Sequence, residues 1–246
     1  MKLRHTQLSL PAHGTWLPAR LAHAPDVRRL VLLLQSPPAR PGHEAIMTVA
    51  LQRSGCATMA LDLPTAREEE CEPDSRYNIA SLAERVLAIL EWIENQPDLS
   101  TLPLGALASG AASAAAIRAA ARAPGRFGAL CIFAGRPDLA GIAPLRALRT
   151  PTCFIVGKND PRADILRQAF ELIAATRDWR ETDGGDPGEA TDAMLAASMD
   201  IAAAWMDAHL PGRDGDDADT AEALPLVTVT PRRSSAAPAL PPSSEE

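Results

Sequence analysis

Apolar positions in this chain fall into short unbroken runs, separated by longer stretches of helical spacing. Leu30-Val31-Leu32-Leu33-Leu34 is continuous and is closed by Gln35-Ser36-Pro37-Pro38, the pattern of a strand buried on both faces. Runs of the same kind occur at 57–63 (ATMALDL), 102–108 (LPLGALA), 127–134 (FGALCIFA) and 152–157 (TCFIVG), each followed by a turn or polar break. Between them Ile79, Leu82, Ala83, Val86, Leu90 and Ile93 recur at helical intervals, which places them on one face of a long helix that Pro97 ends. The spacing predicts further helices over 43–54, 111–123, 162–175 and 189–209. Strands alternating with helices predict an α/β fold, a mostly parallel sheet with helices on both faces. Residues 6–24 alternate loosely around Gly14, as two edge strands of a hairpin do, and no internal repeat is visible.

Composition adds a boundary and several exclusions. The 246 residues suit one domain over 1–210. After Leu210 the chain turns rich in Pro, Ala, Ser, Asp and Glu, so 211–246 is expected to be a disordered tail; Leu224–Val229 within it has the make-up of a short partner motif. With four Phe, four Trp and one Tyr, the core must be filled by aliphatic residues and alanine. Such an alanine excess is typical of GC-rich bacterial genomes. A formal net charge of −7 gives no basic footprint, so nucleic acid is not an expected partner. The start, MKLRHTQLSLPAHGTW, has no unbroken apolar stretch of signal-peptide type, and no run is long enough to span a membrane; a cytoplasmic protein without membrane contact is expected. Cys56, Cys71, Cys131 and Cys153 lie far apart with no C-x-x-C pair, which predicts neither a zinc site nor a disulfide framework.

Several segments taken together resemble a known family. They are Leu102–Ile117 (LPLGALASGAASAAAI), Leu61-Asp62-Leu63 with the acidic Glu68-Glu69-Glu70, the turn Gly135-Arg136-Pro137-Asp138-Leu139, and Ile155-Val156-Gly157-Lys158-Asn159-Asp160. In order and spacing they are similar to α/β-hydrolases of the dienelactone-hydrolase type over about residues 6–210. The resemblance implies a hydrolase whose nucleophile sits on a strained strand-to-helix elbow, with small residues two before and two after it. Gly110 satisfies that rule with Ala108 and Ala112, but glycine carries no nucleophile. Ser109 would set Leu107 where a small residue is needed, and Ser113 lies a turn into the helix.

The resemblance also implies an acid at Asp160 and a histidine some tens of residues later to relay the proton. From 161 to 208 there is no histidine, and the segment 177–190 (RDWRETDGGDPGEA) that should carry it has none. His209 ends the last helix, where a C-terminal cap is its ordinary role. His5, His13, His23 and His43 precede the elbow, and only His43 lies near the oxyanion loop. In that loop Pro37 and Pro38 remove two backbone N–H donors.

The remaining candidates carry less. Glu68, Glu69, Glu70, Glu72 and Asp74 form an acidic cluster better read as a solvated loop than as a cation site. Arg136 has the fork that suits a ligand carboxylate or phosphate, with an ion pair to Asp138 as the plain alternative. Gly135 and Gly184-Gly185 are turn glycines; no G-x-G-x-x-G follows a strand, so no cofactor is expected. The sequence therefore predicts a pseudoenzyme that binds a protein or small-molecule partner. Its alternative is an ester or lactone hydrolase with an unconventional site using Ser109 and Asp160.

Overall fold

The computed structural model describes residues 4–24, 26–36, 42–183 and 191–211. The predicted tail, from residue 212 onward, lies outside these residues, as do Pro37, Pro38 and Gly184-Gly185. Eight strands form one sheet: β1 (Arg4–Ala12), β2 (Thr15–His23), β3 (Arg29–Gln35), β4 (Cys56–Asp62), β5 (Leu104–Gly110), β6 (Ala129–Gly135), β7 (Thr152–Gly157) and β8 (Arg177–Thr182), in the order β1-β2-β4-β3-β5-β6-β7-β8. β1 and β2 run antiparallel and the remainder are parallel. This is the mostly parallel α/β sheet that the apolar runs predict.

Both faces are covered, which is why the central strands read as unbroken apolar runs. Every residue of β3 is buried. On one face α3 (Ile79–Glu94) and α5 (Ala112–Arg122) pack over the sheet, with all six periodic residues of α3 in the core. Alanines at 112, 114, 115, 116, 119 and 120 let α5 approach closely. The opposite face is covered by α1 (His43–Arg53) and α8 (Asp192–His209), through Met47, Leu51, Leu195, Met199 and Met206. Buried Arg29 fixes the end of α8: its Nε donates to the Leu210 carbonyl at 2.7 Å and its Nη1 to Asp207 at 2.6 Å.

The structure corrects three sequence readings. β5 begins at Leu104, because Pro103 has no N–H to give a ladder, and it runs on to Gly110. β2 is not an edge strand: Ala19–Ala22 pair with Thr58–Leu61 of β4. β8, inside the segment read only as the loop where the resemblance would place a histidine and none occurs, is an edge strand, and its charges hide it from an apolar-run search. Trp179 holds it, stacked 6.2 Å from Phe154 and covered by the Arg167 guanidinium at 3.7 Å. The short helices α2 (Ala66–Cys71), α4 (Pro97–Ser100), α6 (Ile142–Ala147) and the helix α7 (Ala163–Glu171) complete the set. Among the described residues no helix is long and apolar enough to cross a membrane.

The acidic run after β4 is organised rather than loose. Thr65 and Glu68 form a reciprocal capping box at the start of α2, and Arg85 of α3 grips Glu68 with both terminal nitrogens, at 2.7 and 2.5 Å. These bonds, Arg85 first, hold the Glu68 carboxyl at about 2, below its ordinary 4.5. A depressed acid stabilises the fold above its unfolded value and loses that contribution as pH falls through the folded one. Glu68→Gln is expected to lower stability at neutral pH by about 1–2 kcal/mol, the partly exposed pair being screened. In urea melts at a series of pH values, the gap to wild type should close between about pH 5 and pH 2.

Candidate functional site

β5 passes into α5 through one residue of left-handed backbone, Gly110, at φ +53°. A left-handed φ between a strand and a helix is the geometry of an elbow, and glycine adopts it without strain. The Gly110 carbonyl accepts from the Ser113 hydroxyl at 2.7 Å and from the Arg136 N–H at 3.0 Å. That same N–H lies 2.8 Å from Ser113 Oγ. Ser113 is therefore fully buried, its proton held by a carbonyl, as a clasp between α5 and the end of β6. Gly135 makes the clasp fit, since a Cβ there would lie 2.7 Å from Ser113 Oγ and 2.4 Å from Ile132.

The space beside Gly110 is filled by Ser36. Its hydroxyl donates to the Leu63 carbonyl at 3.2 Å and accepts from the Ala112 N–H at 2.9 Å, capping the first turn of α5. A Cβ built on Gly110 would meet Ser36 Cβ at 2.9 Å and its Oγ at 3.2 Å. Real Cβ atoms essentially never approach at the first distance, so a side chain at 110 requires Ser36 to move. Ser109 is half-buried at the end of β5. Ala108 packs toward α3 and α5 and Leu107 toward α1 and α8, and the ladder to β6 shifts register between Ala108 and Gly110, across Ser109.

Asp160 follows β7 and is buried, its side chain 2% exposed. Both carboxylate oxygens are held by Arg162: Nε donates to Oδ1 at 3.0 Å, Nη2 to Oδ2 at 2.9 Å, and the Arg162 N–H to Oδ1 at 2.9 Å. β6 separates the strands carrying Ser109 and Asp160, two strand spacings or about 10 Å. Arg136 pairs with Asp138 through Nε and Nη2, and this hydrogen bonding first of all raises the guanidinium above its ordinary value.

The histidines lie apart from these groups in the hydrogen-bond pattern. His209 stacks on Trp205 with ring centres 3.8 Å apart and sets Nδ1 3.1 Å from the Trp205 carbonyl, as a helix-end cap does. His43, at the head of α1, has Nε2 3.9 Å from Asp192 at the head of α8. His5 and His23 lie on the β1–β2 hairpin, and His13 in its turn. Of the acidic residues after β4, Glu68 binds Arg85 and Glu69 binds Arg76. Among the described residues no three His, Cys, Asp or Glu side chains gather to hold a metal ion. Two participants escaped the sequence reading, Ser36 and Arg162. A signal existed for the second: Asp160-Pro161-Arg162 reverses Arg136-Pro137-Asp138 at the end of the adjacent strand.

Comparison with known proteins agrees with this architecture. No family profile matches the chain. A dienelactone hydrolase from Anabaena variabilis superimposes with a TM-score of 0.79 at 25% identity, covering 86% of this chain and all of that one. A cold-adapted esterase from an Arctic intertidal metagenomic library gives 0.66 at 15% identity over 86% of this chain and 96% of its own, and a Pyrococcus furiosus esterase 0.67 at 9% over 85% and 94%. The fold is that of the α/β-hydrolases, of the dienelactone-hydrolase type. In sequence, 123 residues are 37% identical to a Mycobacterium tuberculosis protein provisionally named a phosphoribosyl transferase, recorded from two strains. That match takes in 50% of this chain but 27% of the relatives' length.

The fit of Ser36 against Gly110 makes a thermodynamic prediction. Gly110→Ala is expected to destabilise by about 1–3 kcal/mol, from the left-handed backbone and the collision together. Ser36→Gly should remove the collision and leave the backbone cost, so a double-mutant cycle in denaturant should return a coupling of about 1 kcal/mol. Strict additivity would mean that the two residues do not share this space.

Proposed function

We propose that this chain is an α/β-hydrolase-fold protein that has lost hydrolysis and acts by binding a partner or small ligand. The observation that carries the reading is the 2.9 Å separation between Ser36 and a Cβ built at Gly110. At the elbow, the residue with left-handed backbone has no nucleophile, and the neighbouring space holds a hydroxyl already bonded to Leu63 and Ala112.

Three further facts support it. No histidine lies between 161 and 208 to accept a proton. Asp160, which the family resemblance makes the orienting acid, is matched in charge and geometry by Arg162. Ser109, taken as nucleophile, would set Leu107 where the elbow needs a small residue. Nucleophile and histidine act as a unit, and removing either typically costs on the order of a millionfold in kcat. The transferase activity named for the mycobacterial relatives belongs to proteins that share 27% of their length with this chain, and it is not carried over.

The test is hydrolysis of a panel of activated aryl esters and lactones by wild type and Ser109→Ala. The expected outcome is turnover indistinguishable from buffer for both. Wild-type turnover abolished by Ser109→Ala would overturn the reading and establish the unconventional hydrolase instead.

A further inference from the structure

β8 ends the sheet, and among the described residues its only strand neighbour is β7. The ladder to β7 uses alternate residues of β8: the Thr176 carbonyl accepts from the Thr152 N–H and the Thr182 carbonyl from the Lys158 N–H, both at 2.9 Å. Peptide groups alternate in direction along a strand, so Arg177, Trp179 and Glu181 turn their N–H and C=O groups to the other side, the open edge. Among the described residues no turn or loop backbone bonds to them.

Charges on an edge strand ordinarily block pairing with another chain. In β8 their order makes the strand complementary to itself. Laid antiparallel against a copy about Trp179, Arg177 meets Glu181, Asp178 meets Arg180, and the indole meets its own copy. Every charge then falls opposite one of the other sign, the arrangement that favours a cross-strand pair. The side chains keep capacity for it. Arg180 is 58% exposed and donates only Nε to Asp178, at 2.7 Å, which leaves both terminal nitrogens of its fork. Asp178 accepts there through Oδ2 alone, and Glu181, 53% exposed, meets Trp179 and Arg167 through Oε1 alone.

We propose that two copies of this chain pair through β8, antiparallel about Trp179, and join their sheets into one. The outward peptide groups fall in register: Arg177 with Glu181 and Trp179 with Trp179 are the positions that exchange both N–H···O=C bonds. Asp178 and Arg180 then build a row of four alternating charges on one face of the joined sheet, and the two indoles meet on the other. Such an interface is isologous and closes as a dimer. The strands run in opposite directions across the axis, so the two elbows lie at opposite ends. The proposal stands whether or not the chain hydrolyses esters.

The experiment is sedimentation velocity on the full chain, for wild type, Arg180→Asp, Asp178→Arg and a 1:1 mixture of the two variants. Each variant alone sets like charges across the axis, while the mixture sets acid against base at both positions. Within either variant chain residues 178 and 180 carry the same charge, so the mixture restores only the contact between copies. Circular dichroism checks that each variant is folded. Wild type is expected to sediment as a dimer at about 100 μM, where a micromolar dissociation constant leaves little monomer. Each variant alone should dimerise at least about tenfold more weakly, and the mixture should return to the wild-type constant. Wild type that stays monomeric, single variants that dimerise as tightly as wild type, or a mixture no tighter than its components would each overturn the proposal.

Discussion

The geometry of the strand ends turns on one hydroxyl in a crowded place. Ser36 leaves β3 at the centre of the sheet and joins the Leu63 carbonyl after β4 to the first turn of α5. The distance from its Cβ to the Cβ position of Gly110 leaves room for one side chain. Close packing makes the choice exclusive, since a dense interior transmits a collision of this size into backbone shifts. With Ser36 in place, a side chain at residue 110 collides with it, α5 starts on a borrowed cap, and Ser113 reaches back to the Gly110 carbonyl. Gly135 then must lack a side chain for β6 to pass Ser113.

The charged groups at this end of the sheet follow the same economy of space. Carboxylates at the ends of β6 and β7 are turned inward, and each is matched by an arginine two residues away. Both oxygens of Asp160 are bonded by Arg162, Oδ1 by its N–H and Nε and Oδ2 by Nη2. Burial of Asp160 without a partner would be costly, and Arg162 supplies that partner.

Much of this was legible in the sequence, for identifiable reasons. Strands covered on both faces leave apolar runs, and α3 leaves a periodic face, so the central architecture could be read directly. The elbow register could be read because small residues at 108 and 112 admit Gly110, which is where the left-handed backbone occurs. β8 could not, because an edge strand of Arg, Asp, Trp, Arg, Glu and Thr gains its place from ladder bonds and one stacked indole. Ser36 could not either: its partners, Leu63 and Ala112, are 27 and 76 residues away, and no local pattern joins them.

Covalent labelling tests the closed elbow most directly. A fluorophosphonate forms a stable adduct with an activated serine, so intact mass spectrometry after prolonged exposure of the folded protein reports whether such a serine exists. The account predicts an unchanged mass, because Ser113 is shut from solvent, Ser36 is held by Leu63 and Ala112, and no histidine from 161 to 208 is there to activate Ser109. Stoichiometric labelling at Ser109 or Ser36, lost on heat denaturation, would contradict it.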